Sequence, residues 1–273
     1  HDALPIFRLG DTLEAAADAL LTFNKGLIDS LCDVVAAVKP QCAYYEMYGW
    51  QGVKALYDTI AYAKEKGLFV ITDGKRNDIG TTMEAYAAAH IGKTEAFGKP
   101  FESFSADALT VNGYLGSDGI NPLLNICKEE DKGIFVLVKT SNPSSGELQD
   151  RLLGDKTVYE TMGEMCENWG KDSITDYGYS CVGAVVGATY PKQLSSLRKE
   201  LPHTFFLVPG YGAQGGAAKD IAGAFDENGR GAVINSSRGI MCAYKKGGFD
   251  EKEYAVAARK EAIRMRDEIN SVL

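Results

Sequence analysis

The chain has 273 residues, 45% of them hydrophobic, and a formal net charge of −8. That size and composition suit one large α/β domain. The acidic balance lacks the basic footprint of non-specific nucleic-acid binding, and no apolar run approaches the roughly 18 residues needed to cross a bilayer.

Apolar, β-prone runs alternate with helical patterns from end to end. An amphipathic stretch at 12–31 comes first, followed by an expected strand at 34–38 that leads into Lys39-Pro40-Gln41. A helix is expected at 52–66 and a strand at 68–71, after which a turn leads to a helical pattern starting at Met83. Further strands are expected at 108–111, 134–138, 182–186, 205–208 and 232–234. Helices are expected at 157–168, 190–200 and 217–225, with a long final one at 251–269. Strands without polar alternation, each followed by a helix, indicate a parallel sheet covered by helices. Seven strands are visible, whereas a closed (β/α)₈ TIM barrel needs eight. A barrel would place a strand before the 12–31 helix. The expectation is therefore a single α/β domain over 1–273, a (β/α)₈ barrel whose first strand is missing from this sequence. An open seven-stranded sheet is the competing account.

The opening residues lack the charged and apolar regions of a signal peptide. Six cysteines without a CxxC pair read as reduced thiols of a cytoplasmic protein. The three histidines, His1, His90 and His203, are too scattered for a histidine-rich zinc site, so no metal is expected.

The densest chemistry lies at 68–82, where an apolar run delivers Asp73, Lys75, Arg76 and Asp78 within six positions. A strand has a side-chain period of two, so Asp73 and Lys75 are expected on one face, with Asp78 in the turn beyond. Opposed charges at a strand's carboxyl end suit a reaction in which charge is created and must be held; the bland alternative is a solvated βα turn. Lys39 ends the preceding strand, and alone it would read as a solvated lysine.

A second candidate follows the strand at 205–208. Gly210, Gly212 and Gly215 satisfy GxGxxG, but the acidic residue that a dinucleotide site requires at the end of the next strand is absent. The next strand ends instead in Asn235-Ser-Ser-Arg238. Two polar, glycine-bearing loops at consecutive strand ends read better as a phosphate cup, with Arg238 and Gln214 as side-chain donors. A third candidate is the polar loop Thr140-Ser141-Asn142, whose hydroxyls and amide suit a polar heterocycle.

Taken together, Asp73-Gly-Lys75-Arg-Asn-Asp78, Lys39 upstream, and the phrases VKTSNPSSGELQD, VGAVVGATYP and FFLVPGYGAQGG resemble the orotidine 5′-phosphate decarboxylase family, in its longer bacterial branch. The similarity runs from about Gly10 to the C-terminus. It implies a homodimeric (β/α)₈ barrel with shared active sites. The implied reaction converts orotidine 5′-phosphate to UMP and CO₂ in pyrimidine biosynthesis without cofactor or metal. By the same resemblance Lys39, Asp73 and Lys75 form the charged array of one subunit, Lys75 is the proton donor, and Asp78 reaches the neighbouring site. Ser141 contacts the pyrimidine, Thr82 contacts ligand from the partner, and Gln214 and Arg238 hold the phosphate, with Gly212 and Gly215 in the same loop. Two departures stand out: nothing matches the family's ribose-binding aspartate at the end of strand one, and Gly113 stands where proline is common. A metal-dependent keto-sugar-phosphate decarboxylase of the same superfamily and a catalytically silent nucleotide-binding barrel are the rival readings.

Overall fold

The computed structural model describes residues 9–212, 217–246 and 248–273. The chain begins with α1 (Leu13–Leu31), β1 (Ala37–Val38), α2 (Ala43–Glu46), α3 (Gly49–Glu65), β2 (Phe69–Arg76) and α4 (Gly80–His90). A hairpin of β3 (Lys93–Ala96) and β4 (Lys99–Glu102) precedes β5 (Ala108–Val111), α5 (Ser117–Glu130) and β6 (Gly133–Lys139). The short pair β7 (Leu152–Leu153) and β8 (Lys156–Thr157) leads to α6 (Val158–Gly170), β9 (Val182–Val186) and α7 (Pro191–Glu200). The remainder is β10 (Phe206–Pro209), α8 (Ala218–Ile221), β11 (Ala232–Asn235), α9 (Ser237–Met241) and α10 (Tyr254–Asn270).

Among the described residues, seven strands form one sheet in the order β1-β2-β5-β6-β9-β10-β11, and the registers between β1 and β2 and from β6 to β11 are parallel. Every residue of β5 and β9 is buried, as expected of strands covered on both faces. The fold is α/β, with the repeating strand–helix order of a (β/α)₈ barrel and seven of its strands. β1 is shorter than the expected 34–38 because the backbone N–H groups of Val34 and Val35 donate to the Leu31 carbonyl at 2.8 and 3.0 Å. Those two residues close the end of α1 instead of extending. β2 runs to Arg76, five residues past the expected end. Helix α5 was hidden by Gly119 and Pro122, which interrupt its apolar pattern, although Ile120, Leu123 and Cys127 are buried on it.

Two compact units divide the chain. The first contains His1–Gly74, Ala88–Leu109 and Ser237–Asp267. In its core α1 packs on α3, with Ala17 and Ile28 joining Leu56, Ile60 and Val70. Burying a side chain such as Leu56 or Ile60 contributes roughly 1.5–3 kcal/mol. Phe23 stacks on Tyr254 of α10 at 4.6 Å, and Gly26 has no side chain where the Tyr254 ring lies. Asp107 ties this unit's strands to α3: its carboxylate pairs with Lys64 at 2.7 Å and accepts the Val70 N–H at 2.9 Å.

The second unit contains Lys75–Ala87, Thr110–Ser236 and Glu268–Leu273. Strands β6, β9, β10 and β11 form its ladder, and α6 packs on β6 and β9. A reciprocal capping box between Thr157 and Glu160 starts α6. Gly113 has a packing reason: a Cβ there would lie 2.7 Å from Met162 Sδ and 3.0 Å from Val136 Cγ1. Among the described residues, no helix is long and apolar enough to cross a membrane.

Candidate active site

In the first unit, Lys39 follows β1 and Asp73 sits within β2. Lys39 Nζ donates to Asp73 Oδ2 at 2.5 Å, with the two side chains only 13% and 8% exposed. The backbone fixes this meeting. The Asp73 N–H donates to the Pro40 carbonyl at 2.9 Å, the Cys42 N–H donates to the Asp73 carbonyl at 3.2 Å, and Gln41 forms a parallel bridge with Asp73. Gln41 Nε2 adds a donor to Asp73 Oδ2 at 3.0 Å, a role that sequence reasoning missed although the residue stands two places after Lys39. Asp73 is 6% exposed, so Lys39 and Gln41 meet its carboxylate where little bulk water reaches.

Lys75, Asp78 and Thr82 belong to the second unit. Lys75 has φ +46°, in the left-handed region that costs a non-glycine residue of the order of 1 kcal/mol or more. Its N–H donates to the buried Thr110 Oγ1 at 3.0 Å, and the Asn112 N–H donates to the Arg76 carbonyl at 2.9 Å, so the bend is held from β5 and the residue after it. The period-two expectation therefore does not carry from Asp73 to Lys75: a left-handed residue breaks the pleat that alternation depends on. Lys75 is solvent-exposed.

Asp78 lies in the expected turn between β2 and α4, and its Oδ1 accepts the Ile79 N–H at 2.8 Å. The turn rests on α5: a Cβ at Gly119 would fall 2.7 Å from the Asp78 carbonyl oxygen, so only glycine permits this approach. Beside it, Ile79, Gly80 and Glu84 face Asp118, Asn121, Pro122 and Asn125 across an open groove of about 350 Å³. Thr82 is exposed on the first turn of α4.

Ser141 follows β6 and is half-buried. It lies against Gly187, where a Cβ would meet Ser141 Cα and Cβ at 2.9 Å, and its carbonyl accepts from Thr189 Oγ1 at 3.4 Å. The loop is tied to its far end by a reciprocal pair: Thr140 N–H donates to Gln149 Oε1 at 2.9 Å, and Gln149 Nε2 donates to Thr140 Oγ1 at 2.8 Å. Beneath it, burial pushes the Tyr159 phenol up from its ordinary range.

After β10, Gly210 and Gly212 have φ of +99° and +73°, conformations that glycine adopts without a Cβ penalty. Between them Tyr211 is buried and donates its hydroxyl to Glu268 at 2.8 Å, while its carbonyl accepts from Ser236 Oγ at 3.4 Å. The buried Tyr211 side chain thus anchors the turn at 210–212. Gln214 and Gly215 lie outside the described residues. Arg238, in the first unit, is exposed on α9. Among the described residues, no group of three or more His, Cys, Asp or Glu side chains is placed to hold a metal ion.

Residues 14–247 match the family model described as orotidine 5′-phosphate decarboxylase / HUMPS family. The orotidine 5′-phosphate decarboxylase of Rhodopirellula baltica is 46% identical over 260 residues, covering 94% of this chain and 85% of that protein. That of Caldicellulosiruptor bescii is 44% identical over 248 residues, covering 89% and 81%. Among solved structures, a putative orotidine 5′-phosphate decarboxylase from Streptomyces avermitilis aligns over 98% of this chain and 88% of its own, with 34% identity and a TM-score of 0.78.

Proposed function

The chain belongs to the orotidine 5′-phosphate decarboxylase / HUMPS family, and from that premise we propose how its own residues carry out the reaction. The activity is decarboxylation of orotidine 5′-phosphate to UMP and CO₂, a step of pyrimidine biosynthesis. The observation that carries the residue assignment is the 2.5 Å Lys39–Asp73 pair, buried two residues before an exposed lysine in a strained backbone conformation.

The chemistry follows from the charges. When the ring C6–carboxylate bond breaks, CO₂ leaves and the electron pair stays in an in-plane orbital that no π-system delocalises. The Lys75 ammonium stabilises that developing charge and then donates its proton to the carbon, giving UMP and a neutral amine that recovers a proton from water. Asp73 lies by the departing carboxylate, where like charge disfavours the bound ground state, and the ion pair with Lys39 holds Asp73 in place. Ser141 receives the pyrimidine. Gly212, Gly215, Gln214 and Arg238 hold the phosphate, whose remote binding energy fixes the reacting end. No step in this scheme calls for a metal or cofactor.

The protein acts in the cytoplasm as one (β/α)₈ domain and as a homodimer, with Asp78 and Thr82 serving the partner's site. The boundary between the compact units passes inside β2 and β5, which supports a single folding domain. Around the Asp78 turn, Ile79 and Leu115 are 50% and 43% exposed, an apolar patch that a second copy would cover. Lys75→Ala tests the assignment. It should leave the fold intact and lower kcat by more than the 10²–10³ typical of one electrostatic donor, since the residue both stabilises and protonates. Retention of more than about a tenth of wild-type kcat would remove Lys75 from the chemistry.

A further inference from the structure

Lys139, the last residue of β6, is fully buried, and its ammonium has no place in the decarboxylation scheme. Its Nζ donates to Asp150 Oδ1 at 2.6 Å and to Ser145 Oγ at 3.3 Å, and lies 4.4 Å from the centre of the Tyr190 ring. Asp150 is eleven residues on, and its side chain is 44% exposed. The ion pair therefore closes a loop whose first residue, Thr140, is already bonded to Gln149. Within the ring so formed, Ser145 Oγ donates to the Tyr190 hydroxyl at 3.2 Å, and the Ser145 N–H donates to the Asn142 carbonyl at 3.1 Å. Gly146 has no side chain where Asp150 sits, since a Cβ there would lie 2.7 Å from Asp150 Oδ2.

An apolar residue would fill this strand position without the desolvation that a buried ammonium requires, as Val136 and Val138 do nearby. What the ion pair adds is registry, because a buried charge tolerates only the loop position that pairs it. We propose that Lys139, clamped by Asp150, is a positioning residue that sets the place of Ser141 and thereby the enzyme's affinity for the base of its nucleotide. This rests on the reading that Ser141 contacts the pyrimidine.

The test compares inhibition by UMP with inhibition by ribose 5-phosphate, which shares the sugar phosphate and lacks the base, in Asp150→Asn, Lys139→Met and Ser141→Ala. For Asp150→Asn and Lys139→Met, the UMP inhibition constant and the KM for orotidine 5′-phosphate should rise about 5- to 10-fold, the size of one lost polar contact. The ribose 5-phosphate constant should stay within about twofold, and kcat should fall less than KM rises. If Lys139→Met does not fold, Asp150→Asn decides the matter, because its side chain is at the surface. Equal weakening of both ligands in Asp150→Asn would mean a merely structural role and overturn the proposal. So would a shift for UMP in Ser141→Ala with none in the other two variants. No shift in Ser141→Ala overturns the reading of Ser141 itself, a distinguishable outcome.

Discussion

Gly187→Ala probes the proposed Ser141 contact from behind, without replacing any residue proposed to meet substrate. The new Cβ would lie 2.9 Å from Ser141 Cα and Cβ and 3.0 Å from its backbone nitrogen. Ordinary carbon contacts begin near 3.5 Å, so the two backbones must part by about 0.6 Å. Neither can turn aside: the Gly187 N–H donates to the Lys139 carbonyl at 2.7 Å, and the clash meets backbone and Cβ atoms, not the end of a flexible side chain. Overpacking of this kind costs about 1–3 kcal/mol, or roughly 2–12 °C in Tm for a chain of this size. A shift of that size also breaks a hydrogen bond of about 3 Å from Ser141 to the base, a loss of about 0.5–1.5 kcal/mol. KM for orotidine 5′-phosphate should then rise about 2- to 12-fold with kcat nearly unchanged, because the contact is present in ground and transition states alike. Thermal melting and a spectrophotometric rate assay read both quantities. A lower Tm with unchanged KM would refute the placement of Ser141 against substrate, and no change in either would show that the close approach relaxes without consequence.

Asp73→Asn retains the side-chain shape but removes the charge that Lys39 meets at 2.5 Å, so it should cost about 1–3 kcal/mol in urea unfolding and at least 10²-fold in kcat; a fully active, equally stable variant would place the pair outside catalysis. Exhaustive dialysis against EDTA should leave the rate unchanged, and restoration of a lost rate by Mg²⁺ or Zn²⁺ would favour the metal-using sugar-phosphate chemistry. Mixing inactive Asp78→Ala chains with inactive Lys75→Ala chains should restore partial activity, since one of the two sites in a mixed dimer carries neither lesion. Failure despite demonstrated subunit exchange would return Asp78 to its own subunit's site. Gly119→Ala should lower activity together with stability, because its Cβ would press 2.7 Å from the Asp78 carbonyl; unchanged activity in a destabilised protein would separate that turn from catalysis.

Legibility in the sequence followed burial. The strands at Ala108–Val111 and Val182–Val186 were expected at the residues where they occur, because both of their faces are covered and the apolar run is continuous. Helix α5 was missed because Gly119 and Pro122 break the helical pattern where the chain must pass close to the Asp78 turn. The β3–β4 hairpin was missed for the opposite reason: seven of its eight strand residues are exposed, so no hydrophobic alternation marks it. Among the candidate site residues, Asp73, Lys75 and Asp78 stand out through charge density, and Lys39 only through their company and the family resemblance. The left-handed backbone at Lys75 had no signal beyond the glycine before it, since strain is imposed by Thr110 from 35 residues away. The Lys139–Asp150 clamp was equally silent, because a lysine ending an apolar strand reads as a solvated one until its burial is known.

The most direct measurement follows orotidine 5′-phosphate through the purified wild-type chain, recording loss of the orotate chromophore together with release of carboxyl-derived CO₂. The account predicts stoichiometric CO₂ and UMP at a rate that Lys75→Ala abolishes. A folded protein that binds the nucleotide and releases no CO₂ would contradict it.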